Sequence, residues 1–466
     1  MRRRVVGIET EYGLTCATRS GAPPTHDADA AARLLFAPLA SGGRAPNAYL
    51  RNGGRLYLDV GAHPEYATAE CDSFEDLLAQ HRCGDELLNQ LNDRTRAELE
   101  ELADPERIYL FRNNVDSAGN SFGCHENYLL HRRRDFRQVA QGLVAFFVTR
   151  LVLVGAGHLR RSGNKLTYCF SQRAEQMWEA VSSATTRTRP IINTRDEPLA
   201  DAGQYRRLHV ISGDTNVCEA TTFLKVGMTS LVLDAVEDGM NLSDLELADP
   251  MLAIRQFNQD LSAQVKVPMA HGGELSALDI QERILHRVID VLGIDTGASS
   301  CDALTRQFID LWQRALTALR SGDWSSVDRE LDFAIKFRLI QEYLKRKQTT
   351  LEDPRVARLL LSYHDIGPNG LRCGLERSGL MRRLTTDEQV QQACIQAPRS
   401  TRAHLRSSII NAAEAAGVEL AIDWVRASRI DDPSRYVLMN DPFATESDAV
   451  VQFISGLPAR DEFLPA

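Results

Sequence analysis

At 466 residues and 43% hydrophobic content, the chain is long enough for one large core with a smaller satellite, and its composition excludes a disordered or fibrous protein. The formal charge of -9 comes from 63 acidic against 54 basic residues without a basic block, which argues against a nucleic-acid partner. Nine cysteines, an odd number with no Cys-x-x-Cys pair, point to reduced thiols in a cytoplasm and to no structural disulfide.

The chain opens on Arg2, Arg3 and Arg4, but Glu9 and Glu11 arrive before an apolar region can form, so no export signal is read. Residues 5–14 alternate as a strand, placing Glu9 and Glu11 on one face. A second strand over 55–60 puts Leu56, Leu58 and Val60 in a core and Arg55, Tyr57 and Asp59 on the opposite face. Glu65 and Thr68 follow with incompatible parity, so a bulge or loop is expected there, which Pro64 eases. A helix spans 73–103. Residues 108–113 and 122–129 flank a turn-rich stretch and read as a hairpin.

A helix over 135–153 follows. The most apolar segment, 143–157, is interrupted by Arg150 and shorter than the roughly 20 residues a bilayer crossing needs, so it reads as buried helix and no membrane association is expected. Arg187, Arg189 and Arg195 lie in a loop where they could reach phosphates, and the strand over 207–212 carries Arg207 and His209 on one face. From 219 to 380 the pattern is helical, with amphipathic runs at 277–292, 301–319 and 327–344. Pro398 and its small neighbours mark a boundary, followed by one helix and two short strands. The layout is α+β: an antiparallel sheet packed with helices over 1–396, then a small C-terminal α/β domain over 397–466.

A strand's polar face is by default its solvated face; two acidic strands plus Glu65 leave that reading and a metal-nucleotide site equally open. Hard cations such as Mg²⁺ take oxygen ligands, so Glu9, Glu11 and Glu65, with Tyr57 nearby, suit metal-bound ATP. Arg55 offers a planar donor fork for phosphate, and Asp59 a carboxylate able to take a proton from a nucleophile. His209 fits either a metal contact or a structural hydrogen bond. Only alternate members of His125, Glu126 and Asn127 can join the polar face. His364 and Asp365 fit packing or capping better than metal chemistry, and Cys71 and Cys124 lack a histidine partner motif for thiol chemistry. No Walker A, Rossmann or zinc spacing is present.

Through Gly7-Ile8-Glu9-Thr10-Glu11-Tyr12-Gly13, Arg55-Leu56-Tyr57-Leu58-Asp59-Val60-Gly61 and His63-Pro64-Glu65-Tyr66-Ala67-Thr68, the chain resembles the Pup ligase family of glutamine-synthetase-like carboxylate-amine ligases. Gly123-Cys124-His125-Glu126-Asn127-Tyr128, Tyr363-His364-Asp365-Ile366 and Asp423-Trp424-Val425 extend the resemblance along nearly the whole chain. It implies a glutamine-synthetase-like sheet. It also implies ATP-dependent joining of the C-terminal glutamate of Pup, a prokaryotic ubiquitin-like protein, to lysines of target proteins through a glutamyl phosphate, marking them for the bacterial proteasome. Glu9, Tyr57 and Glu65 match the family's Mg²⁺ positions, Arg55, Thr68 and Trp424 its ATP positions, and Asp59 its proton acceptor. Glu11 and His209 lie inside matching motifs without an assigned role. The related depupylase or Pup deamidase branch typically has a long loop after its first strand and a different opening motif, neither of which is seen here. A small-molecule carboxylate-amine ligase and a nucleotide-binding scaffold are the other classes to separate.

Overall fold

The computed structural model describes residues 1–40, 47–59, 61–116, 118–163, 165–183, 189–299 and 301–458. The opening run, expected as one strand, forms two, β1 (Val6–Glu11) and β2 (Gly13–Thr18). They part at the fully buried Tyr12, whose hydroxyl donates to Asp85 at 2.8 Å, and the chain passes there from one sheet into another. A side chain at Gly13 would come within 2.6 Å of Asn113 Oδ1, so this crossing needs glycine.

Helix α1 (Ala28–Ala40) was not foreseen from the sequence; it buries Ala31, Ala32, Leu35 and Phe36. Then come β3 (Asn47–Tyr49), β4 (Arg55–Leu58), β5 (Pro64–Ala67) and the long α2 (Phe74–Glu100), capped by Ser73 Oγ accepting from Asp76 N–H. Next are β6 (Glu106–Phe111), β7 (Cys124–His131), α3 (Phe136–Val154), β8 (His158–Ser162) and β9 (Lys165–Cys169). Strands β10 (Glu179–Ser182), β11 (Pro190–Asn193) and β12 (Tyr205–Val210) complete the sheet-forming part.

Among the described residues the main sheet has eight strands in the order β10, β11, β12, β7, β1, β5, β4, β3. Its pairs are antiparallel except β10 with β11, which run parallel. The expected hairpin between β6 and β7 does not form. Strand β6 instead pairs with β2 from Gly13 opposite Phe111 to Thr18 opposite Glu106, and β7 lies between β1 and β12. Leu56 is buried and Leu58 half-buried as expected, while Val60 lies outside the described residues.

Helices cover one face of the sheet. Ile8, Tyr128, Leu208 and Val210 pack into the core built by α3 and by α4 (Glu219–Glu237), and Leu56 and Tyr66 pack with α1 and α2. Burying each large apolar side chain there contributes roughly 1.5–3 kcal/mol. Helix α3 is apolar enough by composition to cross a membrane, yet 72% of its apolar window lies inside the protein, and Arg150 within it pairs with Glu126 of β7 at 2.6 Å. The rest of the helical part is α5 (Pro250–Gln259), the ribbon of β13 (Lys266–Pro268) and β14 (Glu274–Ser276), and then α6 (Ala277–Leu292), α7 (Ala303–Ser321) and α8 (Asp332–Lys347). It ends with α9 (Pro354–His364), α10 (Leu371–Arg377) and α11 (Asp387–Ile395).

The C-terminal segment has α12 (Ala403–Ala416), a sheet of β15 (Leu420–Ile422), β16 (Arg426–Arg429) and β17 (Tyr436–Leu438), and α13 (Asp448–Ser455). That is one strand and one helix more than the sequence suggested. These elements share a small core of Leu405, Ile409, Ala427, Val437, Met439 and Val450. All nine cysteines are free.

Candidate active site

Because β1 lies between β5 and β7, odd-numbered residues of several strands line up on the sheet face that the helices leave open. Glu11 stands opposite Glu65 and Glu65 opposite Tyr57, while Glu9 stands opposite Ala67 and Ala67 opposite Arg55. On the other flank Glu9 faces His125, and Asn127 faces His209. Glu126 points into the core, so only His125 and Asn127 of that trio reach the polar face.

Asp59 follows β4 by one residue. Its N–H bonds His63 O and its carbonyl accepts from Ala62 N–H, both at 3.0 Å, with Gly61 and Ala62 left-handed at φ 88° and 57°. The turn brings its carboxylate to Glu11 and Glu65, and one oxygen from each of the three lies within 4.8 Å of the others. The parity conflict resolves because β5 ends at Ala67. Thr68 leaves the strand with Oγ1 accepting from Ile8 N–H at 3.1 Å.

Thr68, Glu9, Leu199, Trp424 and Pro442 are among the residues lining a cavity of about 590 Å³, its open mouth included. Arg55 is not among its lining residues; its guanidinium lies 4.1 Å from the Tyr57 ring and 5.7 Å from that of Tyr49, which meets Trp424 edge-on at 5.2 Å. The structure therefore gathers Glu9, Glu11, Arg55, Tyr57, Asp59, Glu65, Thr68 and Trp424 around one region.

The electrostatics are uneven. Burial and the charges of Glu9, Glu11 and Asp59 push the Glu65 carboxyl well above the usual carboxylate range. Burial, with Glu9 and Glu65 beside it, likewise raises the Tyr57 phenol and keeps it a neutral donor. Burial would also raise Glu9, but the hydrogen bond from His125 at 3.1 Å and the neighbouring His209 and Arg207 hold it below its ordinary value. Asn127 bridges this group, donating to Glu9 Oε1 and accepting from Arg207, each at 2.9 Å. Burial drives His209 down to about 3, and its Nε2 has no hydrogen-bond partner among the described residues.

The all-oxygen set of Glu11, Asp59 and Glu65, whose mutual repulsion helps to push Glu65 up, has the donor chemistry that suits a hard divalent cation. Glu9, His125 and His209 form a second, mixed group whose donor atoms also lie within 4.8 Å of one another. His364 is a packing residue, buried and bonded to Lys336, Gln172 Nε2 and Arg112 O. Arg189 donates to Ser121 O at 2.9 Å and Arg195 pairs with Glu197 at 2.7 Å, while Arg187 lies outside the described residues. Residue patterns missed Tyr49, Glu70, Arg402 and Arg406, which surround Trp424; only Tyr49 carried a local signal, as the cross-strand partner of Arg55.

Fold and site together define an α+β ligase working from an acidic sheet face. The chain belongs to the Pup-ligase family: the family model described as Pup-ligase protein matches residues 4–428. It is 48% identical over 461 residues to the Pup--protein ligase of Xylanimonas cellulosilytica, covering 98% of this chain and 100% of that one. With the Pup--protein ligase of Sanguibacter keddieii it shares 46% identity over 459 residues, 98% of this chain and 99% of that one. A crystal structure of the complex between Pup and its ligase PafA matches with a TM-score of 0.90 at 39% identity, over 98% of this chain and 91% of that one. PafA in complex with ADP matches at 0.82 and 40% identity, over 94% and 95%.

Proposed function

We propose that this chain is a Pup--protein ligase that uses ATP to join the γ-carboxylate of Pup's C-terminal glutamate to lysine amines of other proteins. The observation that carries the reading is the three-carboxylate cluster beside a Trp424-lined cavity, in a chain 46–48% identical to Pup--protein ligases. Trp424 and Thr68 would hold the nucleotide, and Arg55 would grip phosphate oxygens with its planar fork. Glu9, Tyr57 and Glu65 would hold Mg²⁺, with Glu11 close enough to Glu65 to assist, and Asp59, the third member of that carboxylate group, would serve as a base and not as a ligand. Bound there, the cation would neutralise charge on the transferring phosphoryl group.

The glutamate carboxylate attacks the terminal phosphate and becomes an acyl phosphate, releasing ADP; the lysine amine then displaces phosphate. A lysine with an ordinary pKa near 10.4 is almost wholly protonated at neutral pH. It therefore needs a base, and the place of Asp59 beside Glu11 and Glu65 supports reading it as the group that would take the proton. The small core shared by α12 to α13 supports reading residues 397–466 as a separate C-terminal domain. Free cysteines support a reducing, cytoplasmic setting, where the conjugates would feed the proteasome.

The test incubates the purified protein with ATP, Mg²⁺, Pup ending in glutamate and a lysine-bearing acceptor. Isopeptide conjugate and ADP appearing together by mass spectrometry are expected. Release of acceptor from a preformed conjugate, without ligation, would assign the chain to the depupylase branch instead.

A further inference from the structure

Glu70 lies two residues beyond Thr68 and is buried, as are Arg402 and Arg406 of the C-terminal segment. One carboxylate serves both arginines: Glu70 Oε1 accepts from Arg402 Nε at 2.8 Å and Arg406 Nη1 at 3.0 Å, and Oε2 accepts from Arg406 Nη2. Other donors of the two arginines reach backbone in and around the cavity walls, while Arg406 Nε has no partner among the described residues. Arg406 donates to Trp424 O at 3.2 Å and to Gly53 O at 2.8 Å, and its guanidinium lies 4.8 Å over the Trp424 ring. Arg402 donates to Leu199 O and to Met439 O. One buried triad thus ties the end of β5, the wall at Leu199 and the indole of Trp424, three parts of one cavity drawn from distant chain segments.

We propose that Glu70, Arg402 and Arg406 are positioning residues for the nucleotide: they hold the Trp424 indole against the end of β5, so that the cavity is formed before a flat base enters it. The proposal rests on the nucleotide reading of this cavity given above. A planar guanidinium that donates to Glu70, Trp424 O and Gly53 O while lying over the indole cannot be replaced by an ammonium, which is a point charge with no plane. Forming the site in advance spares the ligand the ordering cost of the tryptophan.

The experiment measures ADP binding by calorimetry, and the KM for ATP and for Pup, in wild type, Arg406→Lys, Glu70→Gln, Trp424→Phe and the Arg406→Lys/Trp424→Phe double variant, with thermal melts alongside. Arg406→Lys is expected to weaken ADP binding and raise the ATP KM about tenfold, while the Pup KM stays within about twofold. The same substitution in the Trp424→Phe background should add little, because arginine and indole act as one unit. Glu70→Gln, which keeps the carboxylate's shape without its charge, should move ADP binding in the same direction. Unchanged ADP binding in folded Arg406→Lys and Glu70→Gln, or ATP and Pup affinities falling together with the melting temperature, would overturn this inference alone. A wild-type protein that bound no ADP would overturn the nucleotide reading and this inference with it.

Discussion

Exchanging one oxygen of Asp59 for an amide nitrogen keeps the shape of the side chain and removes its ability to accept a lysine proton. Asp59→Asn should lower the single-turnover rate of conjugate formation by about 10²- to 10⁴-fold, the usual range for losing a general base, while calorimetry shows ADP still bound. Retained ligation would remove Asp59 from its role. Glu65 makes a prediction of a different kind. Its folded pKa is raised above 4.5, so the stability tied to its proton is present below that value and is lost as pH rises through the folded pKa. Without divalent cation, Glu65→Gln should therefore melt above wild type, by a margin that grows from about pH 5 upward. Adding Mg²⁺ should raise the wild-type melting temperature and close that margin; a cation-insensitive melt would count against a metal at Glu65. At this scale the polar face was legible because side chains alternate with period two: Glu9, Glu11, Arg55 and Tyr57 follow from parity once β1 and β4 are recognised. Trp424 and Arg406 were not legible from pattern, since nothing local marks a residue that acts on a strand more than 350 positions away.

Between elements, the packing of α2 under the sheet decides how well the acidic face is held. Thr10, between Glu9 and Glu11, turns to the other face and meets His81 Nε2 of α2 at 3.2 Å, and Arg112 bonds both His81 and Asp85. Gly84 is the closest approach in this layer. A methyl there would lie 2.5 Å from Cδ1 of the fully buried Tyr66 and 3.0 Å from Tyr12 Oη. Gly84→Ala should destabilise the fold by about 1–3 kcal/mol through overpacking, despite alanine's better helix propensity, as read by denaturant titration. Unchanged or raised stability would mean that the layer yields more readily than its contacts imply. Strands β6 and β7 likewise take their places from their partners and not from the turn between them. Turn residues signalled a reversal and the chain does reverse, with Val115 bridging Ser121, but both strands found longer ladders elsewhere, and pairing is settled by partners that a local signal does not contain.

For the whole molecule, the ion triad at Glu70 joins the sheet wall to the C-terminal segment. Its arginines outweigh burial and hold the Glu70 carboxyl down at about 2 against an ordinary 4.5. That stability is fully present above pH 4.5 and is lost as pH falls through 2, and it corresponds to about 3 kcal/mol at neutral pH. The stability gap between wild type and Glu70→Gln should accordingly shrink as the solution is acidified from pH 6 to about pH 3. A gap independent of pH would show that packing and not charge holds the junction. Acidic charge around Asp59 should also draw lysine substrates inward. Raising salt until the Debye length falls from about 10 Å to about 3 Å should raise the acceptor KM more than it lowers kcat.

The cavity beside Trp424 is walled by residues 5–9, 67–70, 127–129, 198–199, 207, 402, 424 and 442. Protein synthesis delivers these in order, so the residues at the first strand exist well before Arg402, Trp424 and Pro442 do. Chains emerge at roughly 5–20 residues per second, so the first wall residues precede the last by on the order of tens of seconds. A nascent chain that has not yet made Trp424 therefore lacks one wall of this pocket, and a full grip on a ligand there is gained only after that residue has emerged.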